Sequence, residues 1–286
     1  MPKQVYQRLS LSLKKARKGK IMFIRIWLFF CLCLLHPLRE ASSEGHNYDD
    51  YAEVLKKYVN DQGFVNYKAF KKDRGPLDRF VQQMARLQLA DFEKWSNDEK
   101  LVFWMNAYNA LTLKAILDHY PVKSIKDIGS VFQNVWKKLK FTVMGKTTTF
   151  FEIEHEILRK QFNEPRIHMA INCASIGCPP LKNEPFTTEN LKAQLDDQTK
   201  RFLNNSKQFR LDKTKNTIYL SSILKWFEAD FLKRYGARPI FKGHKPAQQA
   251  VLYFISSYLE KSQQQELTRA NSKIEYLTYN WGLNEQ

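Results

Sequence analysis

The sequence lacks the motifs that mark several large enzyme classes. It has no glycine-rich phosphate-binding loop, no His-Glu-x-x-His zinc motif and no Gly-x-Ser-x-Gly nucleophile elbow. These motifs supply the phosphate contacts, the zinc ligands and the serine nucleophile of their classes, so their absence disfavours nucleotide-dependent enzymes, zinc peptidases and serine hydrolases. No segment recurs at a fixed period, which argues against a repeat architecture.

Acidic residues are also few, since 29 acidic against 46 basic residues give a net charge of +17. Nine of the basic residues and one acidic residue lie in the first 41 positions, and without them 37 basic and 28 acidic residues leave a net charge of +9. This smaller excess is spread along the chain, as is typical of a solvated surface, so we predict no nucleic-acid binding. The sequence indicates no cofactor, and its partners are unknown.

Long apolar runs are absent except near the N-terminus. Ile26–Leu35 is an uninterrupted apolar segment of ten residues. Spanning a bilayer takes about 20 apolar residues, whereas about ten fit the hydrophobic region of a signal peptide. The small residues Ala41 and Ser43 occupy the −3 and −1 positions of a cleavage site after Ser43, so residues 1–43 are predicted to be a signal peptide.

An uncleaved N-terminal anchor is the alternative, because a basic leader also suits a segment retained in the membrane. Both interpretations place the remaining chain outside the cytoplasm, in the periplasm or secreted. Contact with a membrane is then expected only through an uncleaved N-terminal segment.

The remaining chain is predicted to form one domain, with residues 44–96 as its N-terminal helical part and residues 97–284 as its main part. Ser96 with Glu99 three residues later is a capping box, and the helix it opens, to about Tyr120, is apolar on most sides and therefore central. Other helices are predicted from apolar spacing and caps at Tyr51–Val59, from Pro76 onward, and at Glu152–Gln161, Thr187–Leu203, Ser221–Tyr235 and Pro246–Leu259.

The predicted strands are short. They are a hairpin of Leu139–Met144 with Thr147–Phe151, a hairpin of Phe209–Leu211 with Thr217–Leu220, and the single strands Arg166–Asn172 and Ile274–Tyr279. Since the strands come in hairpins and not in repeated strand–helix units, we expect a helix-rich α+β fold with short antiparallel strands.

Several spaced stretches of the chain resemble the domain of unknown function 547 family. They are FWMNAYNALTLKAIL at Phe103–Leu117, IEHEILR at Ile153–Arg159, RIHMAINCASIGCPPL at Arg166–Leu181, LSSILKWFEADF at Leu220–Phe231 and the ending YLTYNWGLN. The resemblance covers roughly Asn97 to Asn284. It implies no reaction and no residue role, because the family has no known activity. Tyr279-Asn280-Trp281 stands where the family leads us to expect Tyr-Asp-Trp.

One polar constellation has the composition of a catalytic site. His168, Cys173 and Cys178 lie within eleven residues. A strand at Arg166–Asn172 would place His168 and Asn172 on one face, facing the same cavity, with Cys173 just beyond the strand end. A thiol nucleophile needs a base and a group that orients the base. The candidate catalytic residues are therefore Cys173, His168 and Asn172, with Glu154 as another orienting group, in a thiol- and histidine-dependent hydrolase or transferase.

A non-catalytic interpretation of the same residues stays open. In an oxidising compartment Cys173 and Cys178 are expected to form a disulfide, which would stabilise so short a loop by about 2 kcal/mol and make the chain a binding module. His168 and Asn172 would then be buried polar groups bonded to backbone. We predict no metal site, because the spacing of the cysteines from His168 or His155 fits no recognised zinc pattern.

Asn106 and Asn109 interrupt the central apolar helix. A buried amide must find hydrogen-bond partners, so the two side chains either anchor the backbone of a neighbouring loop, which we favour, or line a pocket. Together with Glu154 they are the candidate binding residues. Trp226 and Phe227 are interpreted as core side chains and not as a stacking platform.

Overall fold

The computed structural model describes residues 46–129, 134–269 and 272–286. The predicted signal peptide or anchor and its cleavage site lie outside the described residues. Among the helices of the described part, none combines the length and the apolar character needed to cross a membrane.

Helices dominate the described part of the chain, as the sequence predicts. Those of the first half are α1 (Asp49–Tyr58), α2 (Tyr67–Lys72), α3 (Gly75–Arg86), α4 (Leu89–Glu93), α5 (Asn97–His119), a 3-10 helix (Ile125–Asp127), α6 (Val135–Lys138), a π-helix (Glu152–Leu158), α7 (Arg159–Gln161) and α8 (Ile167–Ala170). Those of the second half are α9 (Leu191–Leu203), α10 (Ser222–Trp226), α11 (Glu228–Tyr235), α12 (Pro246–Ser256) and α13 (Lys261–Leu267). The short helices α2, α4, α6 and α13 are not predicted from the sequence.

Helix α5 is the central element of the larger hydrophobic cluster, whose buried residues lie mainly between Tyr51 and Leu195. The Ser96 side chain accepts from the Glu99 backbone N–H, and the Glu99 carboxylate accepts from the Ser96 backbone N–H, so the predicted capping box is present. Nearly every side chain between Leu101 and Leu117 is buried. The all-round apolar pattern therefore identified the central helix correctly.

Two small sheets accompany the helices. β1 (Lys140–Val143) and β2 (Lys146–Thr149) form the first predicted hairpin, and β3 (Phe209–Asp212) and β4 (Thr217–Ser221) form the second. β5 (Lys273–Leu277) pairs with β4 in parallel, so the second sheet has the order β3-β4-β5. The fold is the helix-rich α+β type that the sequence indicated, although one of its strand pairings is parallel.

The strand predicted at Arg166–Asn172 is wrong, because the chain forms helix α8 there. The carbonyl of Ala170 and the N–H of Asn172 are both bonded to the Asn109 side chain of α5, at 3.0 and 2.8 Å. These backbone groups are therefore satisfied without a neighbouring strand. A short apolar run that is buried on all sides carries no periodicity that separates helix from strand.

Candidate functional site

The loop after α8 carries both cysteines of the described part. Asn172 holds its two ends together, since its side-chain N–H donates to the Pro179 carbonyl at 2.8 Å and its side-chain oxygen accepts from the Ala174 N–H at 2.7 Å. Ala174 adopts a φ of 59°, in the left-handed region that non-glycine residues rarely occupy. Asn172 thus shapes the turn that brings Cys173 back towards Cys178.

The C-terminal segment packs against this loop. The N–H of Gly177 donates to the Asn280 carbonyl at 2.8 Å. A Cβ atom at Gly177 would lie 2.9 Å from the Tyr279 ring, so glycine permits the close approach of that ring. The side-chain oxygen of Asn280 accepts from the Gly282 N–H, a contact that the aspartate expected at this position could also make.

The two thiols and one tyrosine form a compact cluster. The Sγ atoms of Cys173 and Cys178 lie 2.7 Å apart, and the Tyr279 hydroxyl lies 3.1 Å from the first and 3.0 Å from the second. The Cys173 N–H also donates to the Cys178 Sγ at 3.0 Å. Both thiols are free, whereas a disulfide bond is about 2.05 Å long, so the predicted disulfide is not observed.

The surroundings shift the pKa values of the two thiols in opposite directions. Burial raises the pKa of Cys178, but hydrogen bonds from the Cys173 thiol, the Tyr279 hydroxyl and the backbone outweigh it, so the net direction is down. The hydrogen bond that Cys173 gives to Cys178, together with burial, holds the pKa of Cys173 well above its ordinary value. The arrangement therefore favours a thiolate at Cys178 beside a protonated thiol at Cys173.

Both cysteines line a cleft of about 590 Å³. Its other lining residues are mainly aromatic, with a few charged and polar groups: Tyr108, Lys126, Asn134, Trp136, Lys137, Phe151, Glu154, His155, His168, Ile171, Pro179, Ile223, Trp226, Phe227, Tyr279 and Trp281. A concave apolar site with a few convergent polar groups is the usual form of a small-molecule site.

His168 lines this cleft, but Asn172 does not. Asn172 lines a second cavity, of about 470 Å³, in which Cys178 and Pro179 also take part. The prediction that His168 and Asn172 face one cavity is therefore wrong, because it depended on strand alternation and α8 is helical.

The partner of His168 is Asp230 of α11, neither Asn172 nor Glu154. The His168 Nε2 lies 2.8 Å from Asp230 Oδ2, and the imidazole stacks on Phe227 with ring centroids 4.0 Å apart. Asp230 also accepts from Arg159, and although burial opposes the shift, the hydrogen bonds with His168 and then Arg159 hold the pKa of that carboxyl near 2. Burial lowers the pKa of His168, whose Nδ1 has no hydrogen-bond partner. Among the described residues, no hydrogen bond joins His168 to either sulfur.

Glu154 is the buried acid of the cleft. It lies in the π-helix, a type of turn that is frequent at functional sites, and its Oε2 accepts from the Tyr108 hydroxyl at 3.0 Å. Burial raises the pKa of Glu154 to about 7. This carboxyl can therefore give or take a proton near neutral pH.

Asn106 and Asn109 do not line the cleft. Asn106 donates to the Phe186 carbonyl and accepts from the Phe186 N–H, at 2.8 and 3.0 Å. Asn109 makes the same type of clamp to the end of α8. Both amides thus anchor neighbouring backbone, which is the interpretation the sequence favoured.

Trp226 is 48% exposed and lines the cleft, so its interpretation as a core side chain is wrong. Helix α10 ends at Trp226, and α11 begins at Glu228 after the single intervening residue Phe227. Sequence reasoning also missed Asp230 and Tyr279. Both residues lie in stretches that resemble the same family as the cysteine stretch, Asp230 in LSSILKWFEADF and Tyr279 in YLTYNWGLN, and this resemblance could have pointed to them.

Within the described ranges, no group of three or more His, Cys, Asp or Glu side chains is arranged to hold a metal ion. In comparison with known proteins, residues 92–203 match the family described as "Protein of unknown function, DUF547". The resemblance seen in the sequence is thereby confirmed, and the matched segment includes both cysteines, Glu154 and His168. No curated protein and no solved structure matches the chain.

Proposed function

We propose that this chain, which carries the DUF547 domain in residues 92–203, is an exported enzyme of thiol–disulfide exchange. Cys178 is the attacking thiolate and Cys173 the resolving thiol. The observation that carries the proposal is the pair of free sulfurs 2.7 Å apart, bridged by the Tyr279 hydroxyl and open to the cleft.

The reaction uses both thiols in turn. The Cys178 thiolate attacks one sulfur of a substrate disulfide, whose S–S bond breaks, and the first half of the substrate leaves as a thiolate. That thiolate takes the proton of Cys173. The Cys173 sulfur then attacks the Cys178 sulfur, a Cys173–Cys178 bond forms, and the second half leaves as a thiolate that solvent protonates. Two electrons pass from the protein dithiol to the substrate, and an excess of an external thiol regenerates the dithiol.

The second thiol favours exchange over a cysteine–histidine hydrolase. A hydrolase needs one nucleophile with a base in contact with it. Here the nearest hydrogen-bonding groups to Cys178 are a thiol, a phenol and backbone amides, while the His168 Nε2 is bonded to Asp230. A second thiol at this distance would capture a hydrolytic nucleophile as a disulfide in an oxidising compartment.

A thiol-dependent acyl hydrolase or transferase is the second candidate. It is favoured by Glu154, an acid–base group with a pKa of about 7 in the same cleft as Cys178. Such an enzyme needs Cys178 but not Cys173, which makes the two candidates separable.

The test is a redox titration of the full chain in glutathione buffers, quenched by alkylation and read by mass analysis of the peptide with both cysteines. We expect a reversible Cys173–Cys178 disulfide. Cys173→Ser should accumulate a mixed disulfide on Cys178, and Cys178→Ser should not react with a disulfide substrate. A disulfide that no glutathione ratio reduces would contradict exchange and leave the binding module, and ester or amide hydrolysis retained by Cys173→Ser would support the second candidate.

A further inference from the structure

The wall of the cleft beside the dithiol is a cluster of aromatic rings. Trp226 stacks with Trp281 at a centroid distance of 6.0 Å and an interplanar angle of 23°, and it lies 5.0 Å from the Tyr279 ring. Trp136 meets Trp281 edge-on at 5.6 Å. Exposed tryptophan of this kind, joined to a concave site, is a surface on which a planar or apolar ligand can stack.

Two lysines border the same rings. The Lys126 amino group lies 4.5 Å from the Trp281 ring centre, and the Lys137 amino group lies 4.5 Å from that of Phe151. Both residues line the cleft, and across the described ranges neither amino group is paired with a carboxylate. Each ammonium is held in place by a ring while its charge stays available to a ligand.

The only carboxylate among the described lining residues is that of Glu154. Burial favours the neutral form of Glu154 and raises its pKa to about 7, although the hydrogen bond from the Tyr108 hydroxyl favours the ionised form. The histidines of the cleft have lowered pKa values, His155 chiefly through burial and secondly through Arg159. At neutral pH the two lysine charges therefore exceed the Cys178 thiolate and the partly ionised Glu154, so a ligand meets a net positive charge.

We infer that the substrate of the proposed exchange reaction, on which this inference rests, is a small anionic disulfide with an aromatic or otherwise planar apolar body. The body stacks on Trp226 and Trp281, and a carboxylate or a similar anionic group pairs with Lys126 or Lys137. The volume of about 590 Å³ holds a ligand of drug-like size, whereas a folded protein cannot enter it.

Three disulfides of different chemistry test this preference. They are 5,5′-dithiobis(2-nitrobenzoate), which is aromatic and anionic, 4,4′-dithiodipyridine, which is aromatic and neutral, and bis(2-hydroxyethyl) disulfide, which is neither. Second-order rate constants are measured at low ionic strength with the full chain, in which Cys31→Ser and Cys33→Ser remove the two other thiols. The variants are Lys126→Gln, Lys137→Gln and Trp226→Ala, and the matched control is Lys100→Gln, a lysine that lies over Phe92 outside the cleft.

We expect each cleft lysine variant to slow the anionic probe by about three- to tenfold and to leave the dipyridine rate unchanged, because only the anion loses an opposite charge. Trp226→Ala should slow both aromatic probes and spare the hydroxyethyl disulfide. If the wild type reacts with all three probes but the lysine variants keep the anionic rate, the substrate inference is overturned and exchange stands. If Cys178 of the wild type reacts with none of them, both are overturned.

Discussion

The Tyr279 hydroxyl lies 3.0 Å from the Sγ atom of Cys178, although 101 residues separate them in the chain. A hydrogen bond to a charged group contributes about 1.5–3 kcal/mol, so Tyr279→Phe should raise the pKa of Cys178 by about one to two pH units. Alkylation of Cys178 at about pH 6 should slow by about tenfold or more. Tyr276→Phe is the control, because its hydroxyl contacts Gln248; an equal slowing in both variants would show that the Tyr279 hydroxyl does not stabilise the thiolate.

The two asparagine clamps of α5 should stabilise the fold to a similar extent. Asn106→Leu and Asn109→Leu each leave a buried N–H and a buried carbonyl without their partner, at a cost of about 1–3 kcal/mol for each unpaired group. We expect a lower melting temperature for both variants. Only Asn109→Leu should also change the alkylation rate of the thiols, because Asn109 holds the segment that leads into the cysteine loop. Unchanged melting temperatures would show that neither amide makes a buried bond.

Glu154 should make the folded state less stable as the pH rises. Its pKa is about 7 in the folded protein against an ordinary 4.5, so the folded state keeps a proton that the unfolded chain has lost. The stability that this proton contributes is complete below about pH 4.5 and is lost as the pH rises through 7, by roughly 3 kcal/mol.

The Glu154→Gln side chain cannot ionise and keeps an acceptor for the Tyr108 hydroxyl. The variant should therefore not lose stability in this way as the pH rises through 7. The measurement is urea unfolding of both proteins at pH 5 and pH 8, and the quantity compared is the change in unfolding free energy between the two pH values. The other titrating groups cancel in that comparison. The same pH dependence in both proteins would mean that Glu154 titrates normally.

We expect the mature protein to begin near Glu44, because Ala41 and Ser43 precede it and an apolar run of ten residues lies upstream. Intact mass and N-terminal sequencing of protein from its native compartment measure this directly. Recovery of the leader on the native protein would support the uncleaved anchor.

Local signals in the sequence determined much of the fold. The Ser96–Glu99 capping box, the apolar pattern of α5 and the turn at Gly145 each depend on residues a few positions apart, and the structure has all three elements. The two thiols could also be identified as a pair, because a loop of so few residues keeps their side chains close. Such features follow from backbone periodicity and turn chemistry, which neighbouring residues specify.

Only the tertiary structure decided which groups surround those thiols. Asp230 reaches His168 across 62 residues, and Tyr279 reaches Cys173 across 106, and no local pattern encodes either pairing. The strand expected before the cysteines is helix α8, and Asn109 of a distant helix bonds the backbone at and just beyond its end. Hydrogen bonds between a side chain and a distant backbone segment form only when the whole chain has packed. The same is true of the burial that shifts a pKa.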